Sequence, residues 1–213
     1  MSLLFETIKL ENGKLHLLNY HQKRLNDSRN ELFENIKPID LQSFIEIPDN
    51  ITKGLYRCRV SYAQEIEKIE FFPYQIRHPK SIKLIEANDL DYHLKFEDRN
   101  LLNELVLQSG ADEIIITQNG YLTDTSYSNI ALFDGSQWFT PSIFLLNGCK
   151  RQFLLDKQLL KEENIKIDDL AKFSKIAFIN AMRDFEVVYN LDGSELFLRQ
   201  HLSDSTQAFG SNA

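Results

Sequence analysis

Four of the five Asn-Gly or Asp-Gly dipeptides, those that read as hairpin turns, constrain this chain more than any other feature. They fall at 12–13, 119–120, 134–135 and 192–193. Asn-Gly supplies the consecutive positive-φ residues that a tight type I′ hairpin turn requires. Each dipeptide stands between short runs of β-forming residues, so much of the chain is expected to fold as antiparallel hairpins. In the first 85 residues this gives strands at 3–10, 15–18, 54–63, 66–74 and 82–87 in one small antiparallel sheet. Leu25, Leu32 and Phe33 at helical spacing predict a helix over 20–33, and a second is expected near 40–47.

The second half has a different rhythm. A helix over 98–109 should stop at Gly110, placed as a C′ glycine. The Ile114-Ile115-Ile116 run marks a buried strand over 112–118. Strands are expected at 129–133, 137–140, 176–179, 185–191 and 196–198, with a helix over 149–162. Residues 203–213 are small and polar and read as a disordered tail. The reading is an α+β chain with a small lobe at 1–85 and a larger, β-rich lobe at 86–202, joined near 85–91.

Composition excludes several roles. The net charge is −7, which disfavours a phosphate backbone as partner, and Lys23, Arg24 and Arg29 are too small a basic cluster to reverse that. Cys58 and Cys149 share neither metal-ligand spacing nor a disulfide framework. His16, His78, His93 and His201 show no metal spacing either. No apolar run approaches a membrane span, and the opening residues lack a secretory pattern. The expectation is a cytoplasmic protein that binds neither nucleic acid nor membrane.

The chemistry concentrates between Lys95 and Arg151, where four features follow one another. Lys95-Phe96-Glu97-Asp98-Arg99 opens a helix. Gly110-Ala111-Asp112-Glu113 leads into the Ile strand. Gly120-Tyr121-Leu122-Thr123-Asp124-Thr125-Ser126-Tyr127-Ser128-Asn129-Ile130 follows. Thr140-Pro141 and Asn147-Gly148-Cys149-Lys150-Arg151 complete the set. This order resembles the class IV (fold type IV) pyridoxal-phosphate family of branched-chain aminotransferases, D-amino-acid aminotransferases and 4-amino-4-deoxychorismate lyases. The resemblance spans roughly residues 5–182.

The resemblance implies a two-lobed enzyme with pyridoxal 5'-phosphate as cofactor and a cleft at a homodimer interface. Lys95 matches the Schiff-base lysine, which also serves as general acid–base once substrate frees it. Asp124 falls where most members carry a glutamate on the pyridine nitrogen; its charge suits the role, but it is one methylene shorter. Arg24, in a His-x-x-Arg-Leu setting, matches the phosphate arginine. Ser128 and Asn129, Gly148-Cys149-Lys150 at a helix start, and Asn180-Ala181-Met182 complete the cofactor set. Arg57 and Arg59 share one strand face and, with Arg99, are candidates for a substrate carboxylate. Tyr92 and Tyr127 are further candidates for the cleft wall.

Phe5-Glu6-Thr7-Ile8 comes almost at the start, where the family has about two earlier strands, so the first lobe reads as trimmed. Lys-x-x-Asp-Arg and Asn-Ala-Met resemble the lyase's Lys-x-x-Asn-Arg and Asn-Ala-Leu. They favour a short 4-amino-4-deoxychorismate lyase, making 4-aminobenzoate and pyruvate in folate synthesis, over a branched-chain or D-amino-acid transaminase. A non-catalytic protein that keeps only the fold is the reading from another class.

Overall fold

The computed structural model describes residues 3–184 and 189–191. The first sheet is built from β1 (Leu4–Glu11), β2 (Lys14–Leu15), β3 (Leu55–Tyr62) and β4 (Ile66–Pro73), in the order β2-β1-β3-β4 and antiparallel throughout. Its first turn is the expected one: Asn12 and Gly13 have φ of 50° and 75°. Alternation divides the sheet. Leu4, Ile8, Cys58, Val60 and Tyr62 face a core completed by Leu25 and Leu41, from α1 (Leu18–Leu32) and α2 (Leu41–Phe44). Phe5, Thr7, Arg57 and Arg59 occupy the opposite face, with Thr7 opposite Arg59 in the register. α1 buries His21, Leu25, Ser28 and Arg29, an i, i+4, i+7, i+8 stripe that packs on the sheet. α2 is shorter than the 40–47 expectation, starting after Asp40, whose side chain accepts from the Gln42 N–H.

The second sheet corrects one assignment. The strand at 82–87, expected in the first sheet, is β5 (Ile82–Glu86) and pairs in parallel with β6 (Glu113–Gln118). α3 (Asn100–Ser109) lies in the connection between them, which makes a βαβ unit. Gly110 ends α3 at φ 66°. Burial on both faces follows: Ile114 and Ile116 pack with Leu102 of α3, and Ile115 packs with Ile130 and Phe178 on the other side. The sheet continues through β7 (Tyr121–Thr125), β8 (Asn129–Phe133) and β9 (Trp138–Pro141). β8 meets β7 at one residue pair, Asp124 opposite Asn129, and then meets β9; β11 (Lys175–Ile179) runs antiparallel to β8.

A second correction concerns the helix expected over 149–162. α4 spans Cys149–Asp156 only. Gln158 turns left-handed at φ 57°, and the N–H groups of Gln158 and Leu159 donate to the carbonyls of Leu155 and Leu154. These 5→2 and 6→1 bonds form a Schellman stop. The chain then forms β10 (Lys161–Glu163), a parallel edge strand beside β9. Residues 167–172 form a 3-10 turn that the sequence reading did not anticipate. β12 (Tyr189–Asn190) pairs with β11; the strand expected at 196–198 and the tail at 203–213 lie outside the described residues. No helix among the described residues is long and apolar enough to cross a membrane.

Candidate active site

A cleft of about 870 Å³ draws its walls from both sheets. Lys95 enters it from the segment between β5 and α3. The Lys95 carbonyl accepts from the Phe5 N–H at 3.0 Å, and the Glu97 N–H donates to the Leu3 carbonyl at 2.8 Å, so β1 anchors the lysine's backbone. Its Nζ lies 4.7 Å from the centre of the Phe5 ring. No carboxylate pairs with it among the described residues. Burial, then the charges of Arg24 and Arg99, push its pKa down to about 7.

Asp124, at the end of β7, is 4% exposed. Its Oδ2 accepts from the N–H groups of Leu145 and Leu146, both at 2.9 Å, and its Oδ1 accepts from Asn129 Nδ2 at 2.7 Å. Burial pushes its carboxyl up to about 6, against the opposing pull of these donors. Next to it α4 begins: Gly148 is its N-cap, and the first amides of the helix have no intrahelical acceptor. A β-carbon on Gly148 would collide with Asn129 Oδ1.

Beside the start of α4, Glu6 is wholly buried under α1. Arg24 grips it through Nε (2.9 Å) and NH2 (2.5 Å), while His21 Nδ1 lies 2.6 Å from its Oε2. Burial alone would raise Glu6, but Arg24 and His21 hold it at about 2. Burial alone would lower His21, but Cys149 and Glu6 bring it up to about 9. Cys149 Sγ sits 3.5 Å from His21 Nδ1. Glu6, His21 and Cys149 are close enough to share a metal ion; the Arg24 guanidinium on Glu6 and the charge on His21 make them an ion-paired cluster instead.

Of the residues singled out from the sequence, Arg24, Lys95, Asp124, Ser128, Asn129, Gly148, Cys149, Asn180 and Ala181 all line the cleft. So do Arg57, Arg59, Arg99, Tyr92, Tyr127 and Met182. Ser128 Oγ accepts from Asn180 Nδ2 at 2.9 Å, tying the two loops together. Lys150 is the exception. Its ammonium lies 3.8 Å from Asp184, and its side chain is not part of the wall, so only its backbone N–H serves the helix start. The arginines differ in what holds them. Arg59 pairs with Glu97 at 2.9 Å and lies over Phe5. Arg99 has neutral partners, the Ser126 carbonyl and the Tyr92 hydroxyl. Arg57 stacks on Phe72, and its buried Nε has no hydrogen-bond partner among the described residues.

The sequence reading missed Glu6 and Glu113. Glu113 lines the cleft at 1% exposure and accepts from the Ser126 N–H, fixing the turn between β7 and β8. Its place beside Asp112, ahead of the Ile run, was the available signal.

These groups fit pyridoxal phosphate. An amine of depressed pKa stands in the cleft, a buried carboxylate stands apart from it, and a helix start has free amides at a glycine with no room for a side chain.

Comparison with known proteins accords with this. Residues 93–188 match the class IV amino-transferase family. An uncharacterised Haemophilus influenzae protein is 38% identical over 182 residues, covering 84% of this chain and 97% of that one. The crystal structure of a candidate 4-amino-4-deoxychorismate lyase from Haemophilus somnus 129PT superposes with a TM-score of 0.80 at 36% identity, over 85% of this chain and 97% of the other. A Mycobacterium tuberculosis hypothetical aminotransferase, solved with pyridoxal phosphate bound, shares the fold at a TM-score of 0.72 and 18% identity, over 92% of this chain and 83% of that one. Identity sustained over nearly the whole length of such relatives means that this chain belongs to the class IV aminotransferases, a family of pyridoxal-phosphate-dependent enzymes.

Proposed function

We propose that the chain is a 4-amino-4-deoxychorismate lyase, releasing 4-aminobenzoate and pyruvate, with pyridoxal phosphate held by Lys95. The observation that carries the lyase reading over a transaminase of branched-chain or D-amino acids is the charge of the cleft wall. Arg57 and Arg99 both reach it without a carboxylate partner among the described residues, and the lyase's substrate brings two carboxylates. Likeness to the Haemophilus somnus structure supports the same choice.

When bound, pyridoxal phosphate supplies an electron sink for the carbon that bears the substrate's amine. Lys95, as a free amine with a pKa of about 7, takes the proton from that carbon; the electron pair completes the aromatic ring as the C–O bond to the pyruvate enol breaks, and the proton ends on the departing pyruvate. Asp124, charged above about pH 6, keeps the ring nitrogen protonated. The amides of Cys149 and Lys150 at the start of α4 receive the phosphate, with Arg24 beside them. Ser128, Asn180 and Ala181 close that end. Arg57 and Arg99 receive the substrate carboxylates, while Arg59 is held by Glu97. The family's habit of building this cleft between two subunits supports a homodimer, to be measured by light scattering. A cytoplasmic location belongs to the same reading.

Two measurements test it. With added pyridoxal phosphate, wild type should absorb near ~415 nm and Lys95→Ala should not, and borohydride should fix the cofactor on Lys95. With 4-amino-4-deoxychorismate, 4-aminobenzoate and pyruvate should appear together. A band without these products, but with amino-group exchange between amino and keto acids, overturns the lyase in favour of the transaminase.

A further inference from the structure

Asn129 opens β8 at 5% exposure, and its carboxamide touches three separate pieces of the cleft wall. Nδ2 donates to Asp124 Oδ1 at 2.7 Å and to the Leu146 carbonyl at 2.8 Å. Oδ1 faces Gly148 so closely that no β-carbon fits between. The pair Asp124 and Asn129 is the one ladder pair between β7 and β8; beside it the Thr125 N–H donates to the Ser128 carbonyl at 2.8 Å and the Ser128 N–H to Thr125 Oγ1 at 3.0 Å, closing the turn.

The acceptor arithmetic of Asp124 sharpens this. A carboxylate offers about four lone-pair positions. The amides of Leu145 and Leu146 occupy Oδ2, and Asn129 occupies one position on Oδ1. The open position is on Oδ1, the oxygen that Asn129 holds. The Asn129 bond therefore sets where the remaining lone pair points. The same side chain, through its own oxygen, sets how near α4 can begin.

We propose that Asn129 is a positioning residue that couples the two ends of the cofactor cleft, aiming the open lone pair of Asp124 at the ring nitrogen and fixing the start of α4 against the phosphate. This rests on the cleft being a pyridoxal-phosphate site. The role demands both faces of a carboxamide: two N–H groups toward Asp124 and Leu146, and an oxygen toward Gly148. Leucine keeps the volume and loses both. Aspartate keeps the oxygen, loses the donors and sets a second carboxylate against Asp124, which disfavours ionisation of either.

The test compares binding of pyridoxal phosphate with binding of pyridoxal, which lacks the phosphate, in wild type, Asn129→Leu and Asp124→Asn, each followed by fluorescence quenching. A second readout is the pH midpoint of the ~415 nm band. In Asp124→Asn both affinities should fall by the same factor, because only the ring end is touched. In Asn129→Leu pyridoxal should weaken about tenfold and pyridoxal phosphate by more, so that the advantage conferred by the phosphate shrinks. In Asn129→Asp the band midpoint should rise by about one pH unit or more. If Asn129→Leu binds both compounds as wild type does, or loses affinity for both equally, the coupling is wrong. Failure of wild type to bind pyridoxal phosphate overturns the parent reading instead. Should Asn129→Leu not fold, Asn129→Ser, which keeps one donor in a smaller volume, is expected to lose the phosphate advantage in the same direction, and an unchanged advantage overturns the proposal.

Discussion

The cleft shows two opposite uses of buried charge at the level of single residues. Glu6 is charged and fully satisfied, held by Arg24 and His21. Its pKa falls from 4.5 to about 2, and that of His21 rises from 6.5 to about 9. A depressed carboxyl adds stability above its unfolded pKa and loses it as pH falls toward 2. A raised imidazole adds stability below 6.5 and loses it as pH rises through 9. The cluster therefore contributes fully between about pH 4.5 and 6.5. Glu6→Gln leaves two buried cations without their counter-charge, and urea titration should show a loss of about 3–5 kcal/mol. Lys95 is the opposite case, an amine whose pKa falls from 10.5 to about 7 because burial and the charges of Arg24 and Arg99 outweigh the opposing pull of Glu6, with no carboxylate paired to it among the described residues. Between those values the unfolded chain binds the proton and the folded chain does not, so its contribution to stability rises with pH across that window. At pH 7 the residue destabilises the cofactor-free fold. Lys95→Ala, without cofactor, should melt above wild type near pH 7, with the gap closing toward pH 10. A gap that is absent at pH 7 would mean that the amine is solvated and not tuned for chemistry.

Elements fix where these residues stand, and here the sequence was legible only where a local signal existed. The Asn12-Gly13 and Asn119-Gly120 turns and the stop at Gly110 have side chains that specify their backbone. The end of α4 has no such mark. Its left-handed residue is Gln158, and Leu159 and Leu160 continue an apolar rhythm that reads as more helix. The stop becomes visible only once Leu160 is seen packed with Ala131, Ala177 and Ile179. The membership of β5 was hidden for a related reason: a five-residue strand does not declare its partner, and only the crossover through α3 carries it to β6. Motif order found Lys95, Asp124 and Gly148 because their chemistry is local. Glu6 was missed because its partners lie 15 and 18 residues away on a helix packed over it. At Gly148 the backbone has φ −70° and ψ 137°, which any residue adopts, so conformation is not what excludes a side chain. The obstacle is Asn129 Oδ1. Gly148→Ala should keep the fold and weaken pyridoxal phosphate binding about tenfold or more, with a smaller loss for pyridoxal; equal losses would locate the glycine away from the phosphate.

Across the whole molecule the charge is divided. The chain carries a net −7, yet its cleft is walled by Arg24, Arg57, Arg59, Arg77, Arg99 and Lys95. A cationic cleft in an acidic body focuses potential inward, drawing small anions to the opening while the surface repels larger polyanions. Glu6 and Glu97 neutralise Arg24 and Arg59, which leaves Arg57, Arg77 and Arg99 as wall arginines with no carboxylate partner among the described residues. Arg57 discriminates best between readings. It stands on β3 in the first sheet, stacked on Phe72, whereas Asp124 stands on β7 in the second. A substrate that engages Arg57 must therefore span the cleft, which a dicarboxylate does and a small aliphatic amino acid does not. Arg57→Met keeps the apolar stem against Phe72 and removes the charge. For a two-carboxylate substrate KM should rise about tenfold or more, the worth of one charge-assisted hydrogen bond, with kcat little changed because the contact is equal in ground and transition states. The wild-type kcat/KM should also fall as salt rises from 0.05 to about 0.5 M, and the variant should show a shallower fall. A KM within twofold of wild type, with the same salt slope, would mean that Arg57 serves only its strand and that the substrate carboxylates are met by other arginines of the wall, Arg99 or Arg77.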